Sequence, residues 1–373
     1  MDINIVDDTA SLMKLRNDWI DLCLRSPHHY FQTYDWLQAW WIHVGSQSDI
    51  KMRVLVGRES NKVVFIWPLV IVRHYLWHVL RWMADDVSDY CDVLIDRDVS
   101  KDKWFNKSWD ILTSLRGVDA IRLNHVKANS QVRPLLDRMH CKAFSTNTAP
   151  YIALENWNNW EEYFGTVKKN LQVKTQARVL RRLKEKGALS FTVLTNEQRL
   201  EDITNILITQ KTRRFEEKGQ SGAIDKEGYV GFLLSVVKNA FSKKKLHLSI
   251  LSVDNDVIAI HLGWIYHKHL YYYFPTFDLS YKRYSPGRIL LEELLKWSFE
   301  NKLKVFDFMV GDEPYKYNWT DSDIKIYSYA SQHNIWGKIY FKWVSGSIKP
   351  SMKAVYNSMP NVIRRRIGVF IKK

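Results

Sequence analysis

Cysteine is scarce in this 373-residue chain. Cys23, Cys91 and Cys141 are widely spaced and odd in number, which argues against a disulfide framework or a cysteine-based zinc site and leaves structural thiols. Long apolar runs are also missing. The longest, VVFIWPLVIV at residues 63–72, is too short to cross a bilayer, and MDINIVDDTASLMK at the start has neither a basic n-region nor an apolar h-region. The expectation is a cytoplasmic protein. No acid follows Asp323, although ten Lys and Arg do, and no low-complexity linker interrupts the chain.

What is present fits a globular protein. At 46% hydrophobic the chain can bury a sizeable core, and its length suggests two domains or three. The net charge of +15 is concentrated in two places. Residues 168–186, KKNLQVKTQARVLRRLKEK, hold eight basic residues against one acid; the second basic stretch is the one after Asp323. The rest of the chain is close to neutral, so the charge points to two local anionic partners, with a solvated helix face as the plain alternative for the first patch.

Periodicity and turn signals give two similar halves. Helices at 9–24 and in YFQTYDWLQAWWIHV precede strands in KMRVLVGR, KVVFIWPLVIVR, WHVLRWMA and DYCDVLID. The second half opens with helices over 157–186, 197–217 and 227–243, followed by strands LHLSILSV, VIAIHLGWIY and HLYYYFPTF, a helix at 286–300 and a strand KVFDFMV. The fold class is α/β in the mixed sense, two units of helices and a strand meander side by side.

One turn carries chemistry. In YKRYSPGRILLEELLKW (281–297), Ser285 is a good N-cap, Pro286 suits the first helical position and Gly287 permits close backbone approach. The start of such a helix attracts phosphate, and Lys282, Arg283 and Arg288 flank it. Capped helix starts are common, so the turn alone is a weak signal. The strands before it add weight: His261 sits on a strand face beside the small Ala259 and Gly263, and Pro275 is expected at an edge, a bulge or a strand end. A break there would leave backbone groups free for an extended ligand such as pantetheine, with its two amides and terminal diphosphate.

These residues resemble the GCN5-related N-acetyltransferase (GNAT) superfamily, in its CelD/BcsL-like branch, with FemAB-type aminoacyl transferases as relatives. The resemblance runs from Phe31, Trp36 and Trp40 in YFQTYDWLQAWW through DYCDVLI and the basic helix to the closing block Asp307, Gly311, Tyr315, Lys316 and Trp319. It implies two tandem GNAT-like domains, residues 1–150 and a catalytic 151–335, followed by a basic amphipathic tail, 336–373. It further implies acetyl-CoA or another acyl-CoA as donor, no metal, and cell-envelope or exopolysaccharide chemistry on a saccharide, amino-sugar or lipid-amine acceptor. The phosphate loop departs from the superfamily's usual Gln/Arg-x-x-Gly-x-Gly/Ala, reading Lys282-Arg283-Tyr284-Ser285-Pro286-Gly287 with fewer glycines.

Acyl transfer from a thioester needs a deprotonated acceptor, a stabilised carbonyl oxygen and a protonated leaving thiolate, with no covalent nucleophile. His261 is the first candidate base, since an ordinary imidazole titrates near neutrality, although a lone strand histidine is more often structural. Asp307 is the other contender. Tyr315 is a candidate proton donor to sulfur, and Lys316 a ligand for an anionic acceptor. Tyr273 and Trp319 join Lys316 as substrate-side candidates, with packing as their simpler role. Lys282, Arg283, Ser285, Pro286, Gly287 and Arg288 form the expected cofactor loop.

Two further classes compete. An aminoacyl-tRNA-dependent transferase would use the 168–186 helix along RNA, yet no coiled-coil arm accompanies it, so nucleic acid is not expected. A non-catalytic binding module is the other. In NVIRRRIGVFIKK, Ile363, Ile367, Phe370 and Ile371 at helical spacing beside arginine and lysine match a basic interfacial helix at the inner leaflet, or equally one packed on the domain.

Overall fold

The computed structural model describes residues 2–139, 141–217, 222–332 and 334–344. Runs rich in Val, Ile and aromatics form strands β1 (Asp2–Val6), β2 (Ile50–Met52), β3 (Val54–Glu59), β4 (Lys62–Trp67), β5 (Leu69–His74), β6 (Trp77–Trp82), β7 (Leu94–Ile95) and β8 (Ala120–Lys127), then β9 (Lys142–Ala153), β10 (Leu189–Val193), β11 (Leu246–Val253), β12 (Asp256–Tyr266), β13 (His269–Phe277), β14 (Val305–Asp307) and β15 (Asp323–Gln332). Between them lie helices α1 (Thr9–Lys14), α2 (Arg16–Arg25), α3 (Tyr34–Trp40), α4 (Lys101–Ser114), α5 (Arg133–Arg138), α6 (Trp160–Val167), α7 (Val173–Lys184), α8 (Leu200–Glu217), α9 (Tyr229–Ser242), α10 (Pro286–Glu300), α11 (Pro314–Tyr317) and α12 (Ile335–Val344).

The expected mixed α/β architecture is present. A four-stranded sheet has the order β1-β3-β4-β7, and an eleven-stranded one runs β10-β11-β12-β13-β14-β9-β15-β8-β6-β5-β2. All pairings are antiparallel except β13 with β14 and β6 with β8. Pro68 explains why KVVFIWPLVIVR is two strands and not one. Lacking an N–H to continue a ladder, it ends β4 in the small sheet and hands the chain to β5 in the large one.

Strand β9 joins the halves. Its residues Lys142–Pro150 pair with β15, and Tyr151–Ala153 pair with β14. The division at 150 drawn from the sequence therefore falls inside a strand. Strand β15, which follows the second half in sequence, is inserted between β8 and β9 of the first. The proposed tail, 336–373, begins in α12; residues 345–373 lie outside the described residues.

Aromatic packing locks the halves together. The buried Trp36 of α3 meets Phe232 of α9 at 5.0 Å and Trp264 of β12 at 5.6 Å, both edge to face. The same helix grips a loop through its indole N–H groups: Trp36 donates to Ser88 Oγ (2.8 Å) and Trp40 to Asp86 Oδ1 (2.9 Å). The tryptophans of YFQTYDWLQAWW thus fasten residues 86–88 in place. Replacing Trp36 by alanine is expected to cost about 3–5 kcal/mol by opening a cavity. In a denaturant titration the change should lower one shared transition for both halves; a variant in which only the first half unfolds early would contradict the joint core.

Candidate active site

Strands β13 and β14 part company. Their parallel pairing covers His269 to Tyr271 against Val305 to Asp307 and stops there. Strand β13 itself continues, paired to β12 as far as Phe277 opposite Ala259, so the sequence expectation of a break at Pro275 is corrected. The opening lies between strands, along the β13 edge from Tyr272 to Phe277, which has no ladder partner on its β14 side among the described residues. Proline is tolerated in such an edge because no second ladder demands its missing N–H.

A cavity of about 370 Å³ occupies this opening. It is lined by Tyr272, Pro275, Thr276 and Phe277 of β13, by Lys282 and Ser285, by Gly287, Arg288 and Leu291 of α10, and by Arg214, Leu171, Tyr315, Asn318 and Trp319. Lys282, Ser285, Gly287, Arg288, Tyr315 and Trp319 therefore line one cavity. Pro286 is the buried first residue of α10. Arg283 lies apart, with its guanidinium 4.8 Å from the Tyr284 ring.

The start of α10 differs from the expected cap. Ser285 takes a left-handed backbone (φ 48°, ψ 48°) and makes no side-chain capping bond. Its carbonyl instead accepts from the Arg288 amide at 3.0 Å. Pro286 has no N–H, so Gly287 supplies the first-turn amide that has no acceptor among the described residues. A Cβ at Gly287 would sit 3.4 Å from Phe277 Cδ1, on the wall of the cavity.

Two guanidiniums face this space without a carboxylate within salt-bridge distance among the described residues. Arg214 lies 4.1 Å over the Phe277 ring, and Arg288 carries a buried Nε with no hydrogen-bond partner. Burial pulls the pKa of each downward, and nearby Tyr272 opposes this for Arg214 while Glu292 does so for Arg288. Arginine nevertheless stays charged in proteins. Thr276 Oγ1 is likewise buried and unpartnered. Lys282 is less available, being paired with Glu217 at 2.6 Å. Uncompensated cations, a free amide and an unused hydroxyl fit a polyphosphate, and the open β13 edge fits the amides of an extended arm.

His261 does not reach the cavity. The room beside its small neighbours is filled by the imidazole itself: a Cβ on Gly263 would come within 2.6 Å of His261 Cε1. The ring stacks on Tyr272 at 4.8 Å and faces His247, and it is not among the cavity-lining residues. Complete burial holds its pKa well below the ordinary value, with His247 adding to the shift. It stays neutral, with both ring nitrogens unpartnered, and sits behind Tyr272 as interior packing.

Asp307 lies where the strands diverge. Its Oδ1 accepts from Tyr90 Oη at 2.7 Å and from the Met309 amide at 2.8 Å, fixing the turn that carries the chain away from β13. Asp89, from the loop held by Trp36 and Trp40, joins it. Burial pushes the Asp89 carboxyl up to about 7, Lys316 and the Val310 amide pull against this, and Asp307 and Glu313 reinforce it. Tyr90 packs under Lys127, whose Nζ is 4.3 Å from the ring.

Of the remaining candidates, Lys316 and Tyr273 are engaged with backbone carbonyls, whereas Trp319 and Tyr315 line the cavity. Lys316 is buried, donating to the carbonyls of Met309, Val310 and Gly311 at 3.2–3.3 Å and pairing with Glu313 at 2.8 Å, so it closes the 309–313 loop and is not free to bind an acceptor. Tyr273 donates to the Val87 carbonyl at 2.7 Å. Trp319 is buried against Trp160 while forming part of the cavity wall. Tyr315, half-exposed, is the neighbour of Lys316 that points outward, and burial together with Glu313 raises its phenol pKa.

Arg214 and Asp89 were missed in the sequence. A signal existed for the first: Ile203, Leu207, Gln210 and Arg214 form one inward stripe of α8, and a cation extending an apolar stripe needs a reason to be there. Among the described residues no group of three His, Cys, Asp or Glu could hold a metal ion, and no helix is long and apolar enough to cross a membrane.

Strands that part beside a basic helix start, on a mixed sheet repeated in tandem, define the acyltransferase fold class. Residues 172–317 match the model of the acetyltransferase (GNAT) domain. Solved structures share the fold over most of the chain. FemX aligns with TM-score 0.56 at 8% identity over 92% of this chain and 100% of its own. The C-terminal domain of a putative lysylphosphatidylglycerol synthetase from Agrobacterium fabrum aligns with 0.57 at 11%, over 91% and 97%. A tandem GNAT protein from the clavulanic acid biosynthesis pathway gives 0.50 at 8%, over 89% and 99%. No curated protein matches the sequence.

Proposed function

We propose that the protein is an acyl-CoA-dependent acyltransferase that moves an acyl group, acetyl in the first instance, to an amine or hydroxyl acceptor in cell-envelope or exopolysaccharide synthesis. The observation that carries this reading is the cavity at the start of α10, where Arg214, Arg288 and the Gly287 amide converge with no carboxylate paired to either guanidinium among the described residues. Phosphates would lie on these groups. The arm would run along the β13 edge that has no ladder partner among the described residues, where Lys211 Nζ donates to the Pro275 carbonyl at 3.2 Å, bringing the thioester toward the point where β13 and β14 separate.

The acceptor's nitrogen or oxygen attacks the thioester carbonyl, the new bond forms, the carbon–sulfur bond breaks and the thiol departs. Asp89 is suited to take the acceptor's proton, and Asp307, bound to Tyr90 and the Met309 amide, to hold the loop that frames it. Tyr315 is suited to protonate the sulfur. Amino sugars and lipid amines are the acceptor classes the CelD/BcsL resemblance favours, and the composition of 336–373 favours a peripheral place at the inner leaflet. Native mass spectrometry against a panel of acyl-CoAs, followed by thiol release with amino sugars and long-chain amines, tests the reading; absence of any acyl-CoA complex would overturn it.

One observation favours a second reading. Helix α7 exposes Lys174, Arg178, Arg181, Arg182 and Lys184, with no ion pair to any of them among the described residues, and it packs on the turn carrying Lys282. FemX and the synthetase domain share the fold, and an aminoacyl-tRNA donor would use such a stripe. With acyl-CoA as donor, changing Arg178, Arg181 and Arg182 to glutamine is expected to leave thiol release unaltered. With a tRNA donor, binding should weaken steeply as salt rises, and the same variant should flatten that dependence.

A further inference from the structure

Helix α12 lies across β6, β8 and β15 on the first half of the molecule. Two contacts fix which side faces in. A Cβ added at Gly337 would come within 2.0 Å of the Asp119 carbonyl oxygen, so the backbone sits directly on that chain. The buried Tyr340 ring meets Trp77 at 5.5 Å and His74 at 5.9 Å. Ile335, Trp336 and Ile339 are thereby turned outward, 64%, 57% and 37% exposed. Exposed Lys338 and Lys342 are interspersed with them.

The patch extends beyond the helix. Trp343 touches Tyr75 at 5.4 Å in the turn between β5 and β6, where Tyr75 and Leu76 are themselves 45% and 77% exposed. A single exposed apolar side chain needs no explanation; five large ones gathered on two adjoining elements do. Asp119, the carboxylate beside the start of α12, is already engaged, accepting from the His78 amide at 2.9 Å and Asn334 Nδ2 at 3.0 Å. Acids are absent from the sequence that follows, which carries seven Lys and Arg between residues 345 and 373.

We propose that the outer face of α12, together with Tyr75 and Leu76, docks on an anionic lipid surface. Tryptophan and isoleucine suit the layer between headgroups and acyl chains, where an aromatic ring keeps its polar edge wet. The lysines then face lipid phosphate, each basic residue near the surface adding about fivefold to partitioning. Charge decides against a second copy of this chain as the occupant, since a twofold contact would set the same lysines against each other. The proposal takes up the inner-leaflet placement of the preceding reading and names the surface that makes the contact.

The test is sedimentation of the full chain with vesicles of phosphatidylglycerol and phosphatidylcholine, and with phosphatidylcholine alone, with no acyl donor present. The expected result is pelleting on the anionic vesicles, weakened by salt and reduced about tenfold or more by combined Ile335→Ser, Trp336→Ser and Ile339→Ser. If the triple variant unfolds, Trp336→Ser alone should still reduce pelleting severalfold. Equal pelleting of variant and parent would overturn the proposal by leaving the basic terminal stretch as the whole cause. So would failure of the parent to pellet, or a dimer in light scattering that the variant abolishes. Acyl-CoA binding, measured separately, is expected to be unchanged in these variants, so failure here and failure of the acyltransferase reading are told apart.

Discussion

Replacing Arg214 and Arg288 together by alanine is expected to raise the dissociation constant for acyl-CoA by about 100-fold or more, read by calorimetric titration. A hydrogen bond to a charged group contributes about 1.5–3 kcal/mol, and each 1.4 kcal/mol is about tenfold in affinity. The two side chains reach the same cavity from different helices, α8 and α10, and neither is engaged with a carboxylate within salt-bridge distance among the described residues, so both charges are available to a phosphate. Removing them breaks no such ion pair, and thermal stability should change little. Lys282→Ala should matter less, because Glu217 already competes for that ammonium. If the double variant binds within threefold of the parent, phosphate recognition lies elsewhere.

Asp89→Asn is expected to lower kcat by about 100- to 10,000-fold, the usual range for removing a general base. The sign of the pH dependence follows from the carboxyl sitting near 7. Below that value it carries a proton and cannot accept another, so kcat/KM should climb about tenfold per pH unit up to about 7 and level off above it. The groups facing Asp89 are Lys316, which favours its ionised form, and Asp307 and Glu313, which oppose it; Tyr90 and Tyr273 also adjoin it. The variant should lose the climb. Stability should move the other way. An ordinary aspartate in the unfolded chain titrates near 3.9, so the folded state holds the proton more tightly, and stability should fall as pH rises from about 4 to about 7 and level off above it. Asparagine escapes that penalty. An inactive variant that is also less stable at pH 8 would point to a structural role instead.

Much of the cavity was legible because its determinants are local. Ser285, Pro286 and Gly287 announce a helix start, and the cations beside them are read from the same few residues. Tyr315 and Trp319 could be singled out in the closing block without any folding argument. Groups placed by distant contacts were not legible. DYCDVLI reads as a strand by β-propensity, yet only Leu94 and Ile95 pair; Asp89 and Tyr90 are left irregular and turned toward Asp307 by tryptophans some fifty residues earlier. His261 misled because small neighbours imply room without saying what fills it. Its own ring does.

The insertion of β15 between β8 and β9 imposes an order of events during synthesis. Ala120, already beside Val79 of β6, finds its β15 partner only when Gln332 has left the ribosome, so the larger sheet must wait until then with the facing edges of β8 and β9 uncovered. Pairings this distant in sequence form slowly and expose strands to misassociation in the interval. The halves cannot mature one after the other like beads, and a chaperone capable of shielding β8 and β9 would act on the earlier-made half, long after its own residues were complete.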